Sequence, residues 1–268
     1  MPSLKIHNPT YRTLMRAQVV RVQRLTPSFV NITFRSDMMS EFEYLGFDQA
    51  VRLFFPRVEQ RELRLPSATG NGWIAKFLMT PGSHRPHVRN YTIRACRPEA
   101  NEMDIEFAIH GDHGAASAWA VRARPGDHVG LFPEGIQYLP TANAARHLLV
   151  ADESALPAIS SILDHVPRDF RADVFLEVPT SDDVRSSLDR DGVRVKWLAR
   201  DGRGGVPGEL ALDAVRQANV AADELYCFLA GESGLPTALR RHLVAERGVL
   251  KAAITFVGYW KHGKASIG

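Results

Sequence analysis

Hydrophobic and polar positions follow two different rhythms along the chain. From about residue 16 to 137, short apolar runs succeed one another: RAQVVRVQRL, FVNITFRS, AVRLFFP, GWIAKFLM, HVRNYTIRAC, EMDIEFAIH and DHVGLFP. Each run is of strand length, and Gly or Pro punctuates the gaps, which predicts a small closed antiparallel β-barrel. One helical segment, near 114–123 (GAASAWAVRA), interrupts the series. From about 146 the pattern alternates. HLLVAD precedes helix-like LPAISSILDHV, ADVFLEV a short helix near SDDVRSSL, VRVKWLAR the helix GELALDAVRQA, and ELYCFLAGE the helix LPTALRRHLVAERG. ITFVGYW closes this half. Strands alternating with helices predict a parallel sheet covered on both faces. The expected organisation is a barrel domain over 1–137, a linker over 138–145 and an α/β domain over 146–268.

A parallel sheet binds ligands outside the carboxyl ends of its strands. Those ends carry Asp152, Glu177, Arg200, Glu232 and Trp260.

Composition narrows the class. Of 268 residues, 45% are hydrophobic and 24% charged, which is ordinary for a globular protein. A net charge of +3 is too small to argue for nucleic acid. No apolar run approaches the length of a membrane span, and MPSLKIHNPTYRTLMRAQ has no signal-peptide apolar core. The expectation is a cytoplasmic monomer. Cys96 and Cys227 are too few for a disulfide framework and read as buried packing.

Several stretches could carry chemistry. In RNYT (89–92), strand alternation sets Arg89 and Tyr91 on one side and Thr92 on the other. Arginine can fork onto a diphosphate, and a tyrosine two residues on can lay its ring on a planar heterocycle. An edge strand with a surface Arg and a core Tyr gives the same pattern. In HGDHGAASAWA, Gly111, Gly114, Ala115, Ala116 and Ser117 lead into a helix whose exposed N–H groups suit an anion; a plain N-cap is the alternative. His110 and His113 lack a third metal ligand, and no metal site is expected. In VADESALPAI, Ser154 and Pro157 open a helix after a strand, but no GxGxxG fingerprint occurs in the chain. The spacing in LAGESGLP is wrong for a nucleophile elbow, so Ser233 is not a nucleophile. In GYWKHGK, Trp260 could cover a flat cofactor, with Lys261, His262 and Lys264 following.

Taken together and in order, these pieces resemble the siderophore-interacting protein family of FAD-dependent ferric-siderophore reductases. The resemblance rests on DQAVRLFFP (48–56), VRNYTIRAC (88–96), IEFAIHGDHGAASAWA (105–120), PGDHVGLFPEG (125–135), VADESALPAI (150–159), LAGESGLPTALRRHL (229–243) and VGYWKHGK (257–264). It implies a ferredoxin-reductase-like fold: an FAD-binding antiparallel β-barrel followed by an NAD(P)H-binding-type α/β domain. It implies FAD as cofactor, with Arg89, Tyr91 and Thr92 at the flavin and its phosphates. His110, Gly111, Ala116, Ser117 and Trp119 would lie along the diphosphate and adenine side. Asp152, Glu232 and Trp260 would line the nicotinamide approach. Arg52 and Lys261 match two positions of a cationic patch for anionic iron chelates, and Glu134 stands where a third basic residue is expected. Arg200 or the pair Arg240–Arg241 could meet a 2′-phosphate. The implied electron donor is NADPH or NADH, or else ferredoxin, and the implied acceptor is a ferric siderophore. No side chain need act as catalyst, because the flavin carries the redox chemistry. A general flavin reductase or diaphorase, and a siderophore-binding protein without turnover, are the rival readings.

Overall fold

A computed structural model describes residues 5–60, 62–66, 72–109 and 114–264. These residues form two compact units that part between Ile136 and Gln137.

The first unit is a closed antiparallel barrel of six strands. They are β1 (Met15–Thr26), β2 (Phe29–Arg35), β3 (Ala50–Phe55), β4 (His87–Arg97), β5 (Glu102–Ala108) and β6 (His128–Pro133). Around the barrel the order is β1-β2-β5-β4-β3-β6. Alternate side chains fill the interior: Ala17 and Val19, Ile32 and Phe34, Val51, Leu53 and Phe55, Met103, Ile105 and Phe107, Val129 and Leu131. Closure removes the exposed strand edges that an open sheet would leave.

GWIAKFLM, expected as a strand, is instead a helix, α1 (Gly72–Met79). Only Trp73 and Phe77, four residues apart, are buried, against Phe54, Val88 and Phe132 of the barrel wall. Ile74, Leu78 and Met79 are exposed. An unbroken short apolar run does not by itself separate strand from helix, and Ala, Lys, Leu and Met favour the helix. The expected helix near 114–123 is α2 (Ala115–Arg122).

The second unit is a five-stranded parallel sheet, with β7 (Arg146–Ala151), β8 (Ala172–Val178), β9 (Val193–Ala199), β10 (Leu225–Glu232) and β11 (Ile254–Trp260). Their order is β11-β10-β7-β8-β9, all pairs parallel. The chain winds outward from β7 to β9, then returns to the other side of β7. The switch point therefore falls between β7 and β10, where such sheets take ligands. Helices α3 (Leu156–His165), α4 (Glu209–Gln217) and α5 (Gly234–Ala245) complete the unit. Leu148, Val150, Cys227 and Leu229 share a core with Ala211, Val215, Leu239 and Leu243. The helix expected near SDDVRSSL is two 3-10 turns, Ser181–Asp183 and Ser186–Leu188. The Asp183 carboxylate accepts from the Thr180 amide at 3.1 Å and its hydroxyl at 2.9 Å, and so holds the chain in a tight local loop.

The stretch 138–145, expected as a linker, belongs to this second unit. Tyr138 is buried against His147, Tyr226 and Phe228, and its hydroxyl lies 2.9 Å from His147 Nδ1.

Candidate functional site

The barrel contributes one face of β4. His87, Arg89 and Tyr91 alternate onto it, opposite Phe55, Leu53 and Val51 of β3. All three are half-buried. The Tyr91 ring rests on Phe107 at a centroid distance of 4.4 Å, and burial holds its phenol protonated well above the usual range. The His87 ring sits 5.2 Å from that of Phe55. Arg89 Nη1 donates to the Val88 carbonyl at 2.7 Å. Burial lowers the Arg89 pKa, and the nearby Arg57 pushes it the same way, with Tyr91 pulling back. His87 is lowered by burial, by Arg57 and by Arg89, with Glu59 opposing. Arg57 and Arg89 thus both act on His87, beside the Phe55 ring. Thr92 is buried opposite Ala50.

Arg57 and His87 escaped the sequence reading. His87 had a legible signal: it stands two residues before Arg89 and shares its face.

Arg52 is on the opposite face of β3 from Val51 and Leu53. Its guanidinium stacks 5.3 Å over the Trp73 ring and pairs with Glu134. Glu134 also pairs with Arg12, whose guanidinium lies 4.8 Å over Phe132 and whose Nε donates to the Pro133 carbonyl. The Arg52 side chain keeps 35% of its surface exposed while that of Glu134 keeps only 16%. Glu134 is the inner, bridging partner of two cations.

On α2, Ala116, Ser117 and Trp119 are all buried. Trp119, expected along the adenine side, is a core residue. It is 6% exposed, with ring centroids of Phe55, Phe107 and Phe34 at 5.4, 5.9 and 6.3 Å. A large aromatic there fills the barrel interior that its small neighbours cannot. The N-cap of α2 is Gly114, which brings no side-chain acceptor to the first turn. His110 and Gly111 lie outside the described residues.

The carboxyl ends of the parallel strands are built differently. Asp152, just after β7, is 0% exposed. Its Oδ1 accepts from the Ser154 amide at 2.8 Å and hydroxyl at 2.5 Å; its Oδ2 accepts from the Glu232 amide at 2.5 Å and Trp260 Nε1 at 3.3 Å. Burial and then the Glu153 carboxylate push its pKa up to about 7, against the pull of the Ser154 and Glu232 bonds. Gly231, at φ +137°, allows this packing, since a Cβ there would come within 2.7 Å of the Asp152 carboxylate. Asp152 ties the switch-point strands together and has no face left for a ligand. Glu232 is likewise buried and inward-turned, accepting from the Gly234 amide at 2.5 Å and the His262 amide at 3.1 Å. Trp260 is half-buried, with its ring 6.1 Å from His262, and Lys261 is exposed.

Arg200 is consumed as well. It donates to Glu153 at 2.6 and 2.8 Å and to Glu177 at 2.8 Å. Glu177 also accepts from the Gly208 and Ala211 amides at 2.8 and 3.1 Å. Burial pulls the Arg200 pKa down, but its carboxylate partners outweigh that and hold it above the normal value. It is no candidate for a 2′-phosphate. Arg240 lies 4.8 Å over the Phe256 ring, and Arg241 is exposed.

Known proteins resemble this chain along nearly its full length. Residues 18–136 match the family model described as a siderophore-interacting FAD-binding domain, and 144–263 the one described as siderophore-interacting protein. The ferric vibriobactin reductase ViuB of Vibrio cholerae is 32% identical over 91% of this chain and 88% of its own length. The NADPH-dependent ferric-chelate reductase of Escherichia coli is 31% identical over 85% of this chain and 86% of its own. The crystal structure of the siderophore-interacting protein SipS from Aeromonas hydrophila superposes with a TM-score of 0.78 at 30% identity, covering 94% of this chain and 93% of that one. The ferredoxin-NADP+ reductase of Plasmodium falciparum shares the fold, with a TM-score of 0.64 at 11% identity and coverage of 95% and 100%.

Proposed function

The chain belongs to the siderophore-interacting protein family, and from that membership we propose that it is a ferric-siderophore reductase using FAD, with NADPH as electron donor. The observation that carries the reading is the tandem match: an FAD-binding barrel and a siderophore-interacting sheet domain in one chain, aligned end to end with reductases of ferric chelates.

The donor set of the barrel fits the cofactor. A dinucleotide flavin brings a diphosphate and a planar ring; β4 offers the Arg89 guanidinium and, two residues along the same face, the Tyr91 ring backed by Phe107. When bound, FAD supplies the passage from a two-electron hydride donor to one-electron reduction of iron.

The chain's own residues bind, orient and exclude water. Arg89 would hold phosphate charge, Tyr91 would pack on the flavin, and Thr92 and the first turn of α2 would flank them. Trp119 gives the barrel floor its rigidity from within the core. Asp152 and Glu232 fix the switch-point loops from behind, so that the Trp260 ring is presented in one orientation. Arg52 in the barrel unit and Lys261 in the sheet unit are each a cation that would attract an anionic iron chelate. Oxygen-donor chelators hold Fe(III) far more strongly than Fe(II), so one-electron reduction loosens the metal. One hydride therefore serves two ferric chelates.

The test is anaerobic: FAD-loaded protein, NADPH, a ferric triscatecholate or trishydroxamate, and a ferrous trap. Two trapped Fe(II) per NADPH is the expected result. No trapped iron with NADPH, NADH or reduced ferredoxin would remove the proposal.

A further inference from the structure

Helix α1 is apolar on both sides. Trp73 and Phe77 pack on Phe54, Val88 and Phe132 of the barrel wall. By helical spacing Ile74, Ala75, Leu78 and Met79 form the opposite face, with Lys76, the one charge of the helix, at its margin. That face meets solvent: Ile74 is 40% exposed, Leu78 62% and Met79 81%. Arg85 fastens the end of the helix, with Nη2 donating to the Leu78 and Thr80 carbonyls at 2.8 and 2.9 Å and its guanidinium 5.2 Å over the Phe77 ring. Arg57 Nε and Gln60 Nε2 donate to the Arg85 carbonyl in turn, at 2.7 and 3.1 Å. They pin the segment that carries Val58, itself 76% exposed. A helix that is apolar all round is ordinarily buried all round. Here the described residues leave its outer face open.

Charge indicates what covers it. Residues 57–85 hold five arginines and lysines (Arg57, Arg61, Arg64, Lys76 and Arg85) against Glu59 and Glu62, a net of +3 with histidine neutral. The whole chain carries +3, so the remainder of the sequence is balanced. Arg64 and Lys76 are exposed. The apolar face offers about 400 Å², roughly half of what each partner of a stable dimer buries. Its aromatic rings face inward, whereas protein interfaces draw most of their affinity from aromatic and arginine anchors. A lipid surface needs only an aliphatic ridge with cations beside it.

We propose that α1 docks the protein on an anionic bilayer. Ile74, Leu78, Met79 and Val58 enter the boundary between headgroups and acyl chains, and Lys76 and Arg64 meet headgroup phosphates. The proposal goes beyond the reductase reading and does not depend on FAD. It bears on it through Arg52, which stacks over the Trp73 ring on the inner side of the same helix. Docking would hold that cation about 10–15 Å from the lipid, little more than a helix diameter.

The test is co-sedimentation of the full chain with vesicles of phosphatidylcholine containing about 30 mol % phosphatidylglycerol, against phosphatidylcholine alone. The anionic vesicles should bind at least about tenfold more tightly, and about 0.5 M salt should remove most of the difference. Leu78→Asp combined with Met79→Asp should lose at least about tenfold in vesicle affinity. Lys76→Glu should lose about fivefold. Leu250→Asp, at a position 74% exposed in the second unit, should change nothing. All four positions are exposed, so urea midpoints should match wild type. Failure to bind either vesicle, or undiminished binding by the Leu78 and Met79 double variant, overturns the proposal. A dimer in analytical ultracentrifugation that the double variant dissociates gives the face to a second copy and overturns it as well. Binding of an acidic ferredoxin that the double variant loses, with no vesicle binding, gives the face to a protein with the same consequence. The reductase reading stands through each of these outcomes.

Discussion

At the start of β4 three basic groups share one neighbourhood, while behind the carboxyl ends of β7, β8 and β10 four carboxylates and an arginine are drawn inside and matched. Arg57 and Arg89 both disfavour a proton on His87, and Arg57 acts the same way on Arg89. Asp152, Glu153, Glu177 and Glu232 each accept from named donors, and Arg200 bridges two of them. Both regions were read from sequence as ligand-facing, since both put charged residues at strand ends. The difference is electrostatic. Charges matched inside the protein are scaffold, whereas neighbouring like charges raise the local positive potential.

The sharpest way to break that comparison is at Arg200. Its removal leaves Glu153 and Glu177, both buried, without their cation. Arg200→Ala should cost about 3–5 kcal/mol of stability in urea unfolding. A loss below about 1 kcal/mol would mean that the triad is not the internal brace described here.

Asp152 provides a second test, through pH. Its carboxyl is raised from an ordinary value near 3.8 to about 7 by burial and by Glu153. A carboxyl raised on folding stabilises the fold fully below its unfolded pKa, and that contribution drains away as the pH climbs through the folded one. The stability difference between wild type and Asp152→Asn should therefore fall from pH 4 to pH 7, by up to about 1.4 kcal/mol per pH unit. A difference that stays level across this range would show that the four donors hold the group ionised.

On the barrel side the sign of the result is reversed: binding is lost and stability kept. Arg89→Gln should weaken FAD about tenfold to a hundredfold, as expected for a lost charge-assisted hydrogen bond. Its unfolding free energy should stay within about 0.5 kcal/mol of wild type. Equal losses in binding and stability would make Arg89 part of the scaffold after all.

These contrasts also mark how far the sequence could be read. The barrel strands were legible because Val51, Leu53 and Phe55, or Met103, Ile105 and Phe107, alternate inward. The parallel strands were legible because their apolar runs recur between helical ones. Helix α1 was not, since Trp73 and Phe77 sit in an apolar run whose exposed members are apolar too. At the site, the shared face of Arg89 and Tyr91 followed from the two-residue period alone. Compensation did not follow from anything local. Arg200 finds Glu177 and Glu153 at separations of 23 and 47 residues, and Arg52 finds Glu134 at 82. Trp119 carried the same ambiguity: a tryptophan in a small-residue helix suits a ligand wall or a core plug, and only the packing of Phe34, Phe55 and Phe107 decides.

The smallest expected effect is at Glu134, where the two electrostatic styles occur in one cluster. Arg52 is proposed to meet the iron chelate, yet Glu134 already engages it together with Arg12. Each arginine also lies over an aromatic ring, so neither depends on the carboxylate alone for its position. Glu134→Gln removes one negative charge and leaves both cations in place. Part-exposed pairs of this kind are worth about 1 kcal/mol or less, so the KM for a trianionic ferric triscatecholate should fall by no more than about fivefold. Added salt should erase the gain, because what changes is a screened charge. A neutral ferric trishydroxamate should show no change in KM. If both chelates respond alike, Arg52 is a strut of the barrel wall beside Trp73, and the acceptor's charge is met elsewhere.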